Sequence, residues 1–272
     1  MKKKNTSLRE TFADAVENYN KKNFKISETI CKKILSIDSN HFDSLVLLAN
    51  LSALNRDFNK AKDLLTNANE IKPNNLTVLN NLGTAHKELG NLKESMNFYE
   101  KVIKINPNHT NAHYNLGVAF FNLKELQKAK SYFKKTVEIQ PNFALAFVNL
   151  GNVCAELKEN ENAISNYQKA IEINPKLIGA HNNLGLVFRR LNDFENAINC
   201  YEAAIKIKES HAGAHHNLAL ALKEIGKFDK AAKSHEMAIK YEPENTINYY
   251  YLSQLKKDIL DVNLKNKIEK IL

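Results

Sequence analysis

The chain has 272 residues, 43% of them apolar and 25% charged, and its 39 Lys and Arg against 30 Asp and Glu leave a net charge of +9. That is enough apolar material for a sizeable core, and no run approaches the ~18 consecutive apolar residues of a membrane span. Five prolines and eight glycines are too few for a turn-rich all-β chain, and three cysteines make no disulfide framework.

In chain order, residues 1–7 read as a basic leader. No apolar run follows Met1-Lys2-Lys3-Lys4 before Phe12, which argues against a secretory signal. A soluble, cytoplasmic setting is the expectation. Beyond the leader the chain is periodic: Pro73, Pro107, Pro141, Pro175 and Pro243 all lie in one phase of a 34-residue ruler, and Gly83, Gly117, Gly151 and Gly185 keep the same step. With the proline at position 32, the repeats are 8–41, 42–75, 76–109, 110–143, 144–177, 178–211 and 212–245. The first fits only in its second half, through Phe24, Ile34 and Ile37. In 76–109, Leu79, Leu82, Gly83, His86 and Leu89 trace one helical face, Asn91 and Leu92 mark a turn, and Ser95, Phe98, Tyr99, Val102 and Ile103 trace a second face that Pro107 ends. Neither helix can bury its stripe alone, so the pairs must stack. Residues 246–272 begin another unit without completing it, and are expected to cap the last apolar face or to open a linker. Their end, Ile268, Ile271 and Leu272, is an apolar stripe with nothing after it.

These residues resemble tetratricopeptide repeats. The resemblance rests on Leu and Gly or Ala at positions 7 and 8, Ala at position 20 (Ala61, Ala129, Ala163, Ala197, Ala231), an aromatic at position 24 (Tyr99, Phe133, Tyr167, Tyr201) and Pro at position 32. It covers residues 42–245 well, although no Trp stands at position 4. It implies an all-α, right-handed solenoid of stacked helix-turn-helix repeats, whose first helices line a concave groove for protein or peptide.

Nine histidines invite a metal reading, but His113, His181 and His215 share position 4, His41, His109 and His211 share position 34, and there is no H-E-x-x-H. No C-x-x-C pair, phosphate loop or nucleophile elbow appears, so neither metal, cofactor nor catalysis is expected.

One constellation is left over. Position 6 of the first helix is Asn81, Asn115, Asn149, Asn183 and Asn217, at steps of 34. At about 100° per residue, position 6 points away from the core stripe, with positions 2, 9 and 13. Neighbours on that face diverge while the asparagine persists. An amide offers two donors and an acceptor oxygen, which suits a peptide backbone whatever its side chains. A similar ladder lines the groove in the repeat region of O-linked N-acetylglucosamine transferase. Lys87, Arg189, Arg190 and Lys223, at positions 12 and 13, are candidates for selecting acidic ligand side chains. A carboxylate clamp of the chaperone-tail kind is excluded, because Thr77, Asn111, Leu145, Gly179 and Gly213 hold position 2 and no cation holds position 6 in these repeats.

The expected function is a non-catalytic scaffold for an extended polypeptide, with self-association through terminal repeats as a further route. The alternative is the substrate-recruiting region of a larger glycosyl- or sulfotransferase. Sequence-specific nucleic-acid binding is not expected, since an invariant Asn encodes no base sequence.

Overall fold

The computed structural model describes residues 2–256, with side chains from Leu8 onward. All regular structure among the described residues is α-helical. The chain forms two compact units, Met1–Glu125 and Leu126–Leu272. The first holds α1 (Lys2–Asn20), α2 (Phe24–Ile37), α3 (Phe42–Leu54), α4 (Phe58–Ile71), α5 (Leu76–Glu88), α6 (Leu92–Ile105) and α7 (Thr110–Asn122). The second holds α8 (Leu126–Ile139), α9 (Ala144–Glu156), α10 (Asn160–Ile173), α11 (Ile178–Arg190), α12 (Phe194–Ile207), α13 (Ala212–Glu224) and α14 (Phe228–Tyr241). A further helical segment covers 246–256. The stripe at Ile268, Ile271 and Leu272 lies outside the described residues.

Within each unit every helix packs against the one before and the one after it, which is the stacking the sequence demands. From α3 onward the first helices start 34 residues apart, at Phe42, Leu76, Thr110, Ala144, Ile178 and Ala212. Each turn inside a pair passes through one left-handed residue: Lys22, Arg56, Gly90, Lys124, Lys158, Asn192 and Gly226. Only Gly90 and Gly226 take that conformation without a Cβ penalty. Lys72, Asn106 and Asn174 end their helices outside the helical region, which the proline after each disfavours, and Asp38 and Lys208 take a similar conformation with no proline after them.

The core is built from small residues that let helices approach. Ala61, Ala129, Ala163, Ala197 and Ala231 are all buried. The first repeat joins in: Ala15 of α1, fully buried, packs with Cys31, Leu48 and Leu51. α1 therefore supplies the first helix that the sequence pattern left blank, and it takes in residues 2–7 as well. At the other end Leu255 packs on Leu218, Leu222 and Ala231, so 246–256 covers apolar surface of the last pair.

Candidate functional site

Every residue of the asparagine series sits on a first helix and is half-buried: Asn81 on α5 and Asn115 on α7 in the first unit, then Asn149 on α9, Asn183 on α11 and Asn217 on α13 in the second. Position 9 shares their face, because one cavity is lined by Asn50 and Thr84 at position 9, Asn81 at position 6 and Glu88 at position 13.

The amides also tie neighbouring repeats together, a role the sequence reading did not foresee. Asn81 Nδ2 donates to Asn50 Oδ1 at 3.0 Å, and Asn183 Nδ2 donates to Asn152 Oδ1 at 2.9 Å. Both acceptors stand at position 9 of the preceding repeat, 31 residues back. Where position 9 holds no amide, the pattern changes. Leu186 precedes Asn217, whose Nδ2 turns to Asn182 Oδ1 at 2.9 Å instead. Thr84 precedes Asn115, and the Thr84 hydroxyl is engaged by Tyr99 at 3.1 Å.

That last contact belongs to a second series. The phenol at position 24 reaches the face at position 9 of its own repeat: Tyr167 donates to Asn152 Oδ1 at 2.7 Å, and Tyr99 meets Thr84. In the repeat of Tyr201 that position is Leu186, and the Tyr201 hydroxyl is buried without a hydrogen bond. Burial pushes the Tyr201 phenol up to about 12, with the Arg189 charge opposing the rise. Tyr99 and Tyr167 are raised by burial as well. Asn152 Oδ1 thus accepts from Tyr167 and Asn183 together, joining three helices through one oxygen.

The four cations are not equivalent. Lys87 Nζ pairs with Glu88 at 3.0 Å. Arg190 donates to the Ala155 carbonyl at 3.0 Å and to Asn160 Oδ1, so it spans to the preceding repeat. Arg189 is half-buried, and its Nε finds no acceptor. Arg189 and Arg190 line a cavity of ≈ 560 Å³ with Leu186, Asn192, Phe194 and Glu224. Lys223 is half-buried on α13.

A family model described as the cilia and flagella-associated protein 70 C-terminal domain, a tetratricopeptide-repeat model, matches residues 27–263. The chain belongs to that tetratricopeptide-repeat family. No curated protein sequence matches it. Among solved structures, this tetratricopeptide chain is similar to MamA at 28% identity and a TM-score of 0.58, over 61% of its own length and 96% of MamA. YrrB, described as a TPR protein with an unusual peptide-binding site, aligns at 20% identity and a TM-score of 0.60, over 69% and 96% of the two chains. PilF of Pseudomonas aeruginosa aligns at 17% identity and a TM-score of 0.69, over 78% and 96%. The last two show the fold alone.

The histidines of this tetratricopeptide chain serve its joints. At position 4, Nε2 of His113, His181 and His215 lies 2.8, 3.0 and 2.8 Å from the carbonyls of Pro107, Pro175 and Glu209, where the preceding helix pair ends. At position 34, Nδ1 of His41, His109 and His211 accepts from the backbone N–H of Ser44, Ala112 and Ala214, capping α3, α7 and α13. No group of three or more His, Cys, Asp or Glu that could hold a metal occurs among the described residues. Burial pushes the Cys31 and Cys200 thiols up to about 11 and raises Cys154, which disfavours the reactive thiolate. No described helix is long and apolar enough to cross a membrane.

Proposed function

We propose that the chain is a protein–protein interaction scaffold that holds extended polypeptide along positions 6, 9 and 13 of its first helices, through Asn81 and Asn115 in the first unit and Asn149, Asn183 and Asn217 in the second. Family membership supports the scaffold, and a non-catalytic one. YrrB is an example of a peptide-binding site on this fold.

The observation that carries the finer reading is the state of the amides. Asn81 and Asn217 each commit one N–H to the preceding repeat, and among the described residues their second N–H and Oδ1 have no partner. A half-buried amide held in one orientation is a pre-organised donor–acceptor pair, so a ligand backbone that meets it orders little further. The contacts address C=O and N–H groups and tolerate any ligand sequence. Selectivity falls to side-chain contacts, and Arg189 and Arg190 beside their cavity favour an acidic ligand side chain.

The reading is tested by selecting binders from a displayed library of random 12-residue peptides and following the side-chain amide resonances of the protein. Shifts at Asn81, Asn149, Asn183 and Asn217 support it. Shifts confined to the outward faces of α4, α6, α10 and α12 contradict it.

A further inference from the structure

The second unit shows what belongs at the join of positions 8, 9 and 24. In the repeat at 144–177 the Tyr167 ring lies against Gly151, and its hydroxyl reaches Asn152 Oδ1, which also accepts from Asn183. The repeat at 42–75 keeps half of that arrangement. Asn50 stands where Asn152 does and accepts from Asn81 at 3.0 Å, in the place of Asn183 at 2.9 Å. The phenol is missing. Leu65 occupies the tyrosine position, fully buried, and Ala49 the glycine position.

A cavity of ≈ 400 Å³ opens there, walled by Ala49, Asn50, Ala53, Leu65, Asn81 and the Tyr19 ring. Leu65 stops short of the space a tyrosine tip fills elsewhere, so Asn50 Oδ1 keeps the lone pair that Asn152 gives to a hydroxyl. Leu54, Phe58, Ala85 and Glu88 also line it, so Tyr19 and Phe58 bring aromatic rings for offset or edge-on packing. Three other repeats lack the tyrosine, with Cys31, Phe133 and His235 in its place, and the one at 212–245 pairs His235 with Ala219. There the following segment supplies the ring: Tyr251 stacks on His235 with centroids 5.5 Å apart and planes 3° from parallel. The repeat at 42–75 has Phe58 at this cavity, a ring that carries no hydroxyl.

From this we infer that the cavity between α3, α4 and α5 is a pocket for a phenol, occupied by a tyrosine side chain of the bound polypeptide, with Asn50 Oδ1 accepting its hydroxyl. The tyrosine as occupant rests on the polypeptide reading above; the affinity for phenols does not. The pocket would let the first unit read a ligand side chain, as the arginines do in the second, where the asparagines read only backbone.

The test uses p-cresol and toluene as probes on the full chain, followed by backbone amide spectra. p-Cresol is expected to shift the resonances of Asn50, Ala53, Asn81 and Ala85. The double variant Ala49→Gly, Leu65→Tyr completes the missing pair from within and should abolish those shifts. Ala53→Leu narrows the mouth from the exposed side and should weaken them, which keeps the test available if the double variant unfolds. Asn50→Leu should lower p-cresol affinity by roughly tenfold and leave toluene unaffected. Selected 12-residue peptides should be rich in tyrosine and lose roughly tenfold or more in affinity when it becomes alanine. No p-cresol shifts at these residues, or equal shifts in a folded double variant, would overturn the pocket. Peptides that bind without needing an aromatic, and equally to the double variant, would overturn it while sparing the scaffold. p-Cresol binding with no peptide binding would remove the polypeptide, and tyrosine as occupant with it, and uphold the phenol site alone.

Discussion

A Cβ on Gly151 would stand 2.7 Å from Cε1 of Tyr167. The same distance is 2.6 Å for Gly83 against Tyr99 and 2.6 Å for Gly185 against Tyr201. Where position 8 is Ala49 or Ala219, position 24 is Leu65 or His235. Gly117 stands with Phe133, so glycine at position 8 goes with an aromatic ring at position 24, and the two are exchanged together. Gly151→Ala should therefore cost ~1–3 kcal/mol by overpacking. Combined with Tyr167→Leu, it should cost less than the sum of the two single changes. Denaturant unfolding of the three variants checks this, and strict additivity would mean that the ring moves aside freely.

Tyr201 is the flaw in its series: its buried hydroxyl has no hydrogen bond, and position 9 of its repeat is Leu186. Leu186→Asn restores the residue that Asn152 supplies to Tyr167, and offers Asn217 the acceptor that Asn183 has. It should stabilise the chain by ~1 kcal/mol. Tyr167→Phe should cost about as much, whereas Tyr201→Phe should be close to neutral. Thermal melts of the three variants measure the difference. A loss of stability in Leu186→Asn would break the link between positions 9 and 24.

Acid should loosen the joints. Burial holds His109 and His235 below the ordinary histidine value of 6.5, with His113 near the first and His216 near the second adding to the effect. Each then contributes stability that is fully present above 6.5 and is lost as pH falls through that value toward the depressed folded one, because the unfolded chain takes up the proton first. His109 must also stay neutral at Nδ1 to accept from Ala112. His109→Asn keeps a capping acceptor without a titrating group. Its unfolding midpoint should fall less than the parent's between about pH 7 and 5. An identical fall in both proteins would contradict the assignment.

Much of the fold was legible because helix breakers and small residues are local signals. Pro107 or Gly117 reports its place in the repeat without reference to anything distant. The first repeat was harder, since Ala15 and Cys31 fill the places of glycine and tyrosine and look like ordinary apolar residues until they are seen packed together. The exposed face was legible for the same reason as the repeats: about 100° per residue puts position 6 beside position 9. The bonds across that face were not, since they depend on side-chain reach between helices. Their one trace in sequence is the 31-residue step from Asn50 to Asn81 and from Asn152 to Asn183. The cations carried no signal of their engagement at all. Nothing local to Arg190 points to the Ala155 carbonyl 35 residues earlier.

Charge selection should reside with the arginines. Arg189→Ala should weaken peptides carrying Asp or Glu and spare neutral ones of the same length. Arg190→Ala should do the same and also lower stability, because its bonds to Ala155 and Asn160 are lost. Lys87, already paired with Glu88, should matter less. Titrations with acidic and neutral versions of one selected peptide, at two salt concentrations, distinguish these outcomes. Equal losses for both peptides would remove the arginines from recognition.

The most direct test of backbone recognition lies in the second unit. Selected peptides and versions with scrambled side chains are titrated against the parent and against Asn149→Ala, Asn183→Ala and Asn217→Ala, singly and combined. Each single change should weaken every peptide alike by ~0.5–1.5 kcal/mol, and the combined variant more than any of them. Circular dichroism must show the combined variant folded, since Asn183 and Asn217 also join repeats. A folded combined variant that binds every peptide as the parent does would contradict the account, and leave Asn183 and Asn217 as bolts between repeats alone.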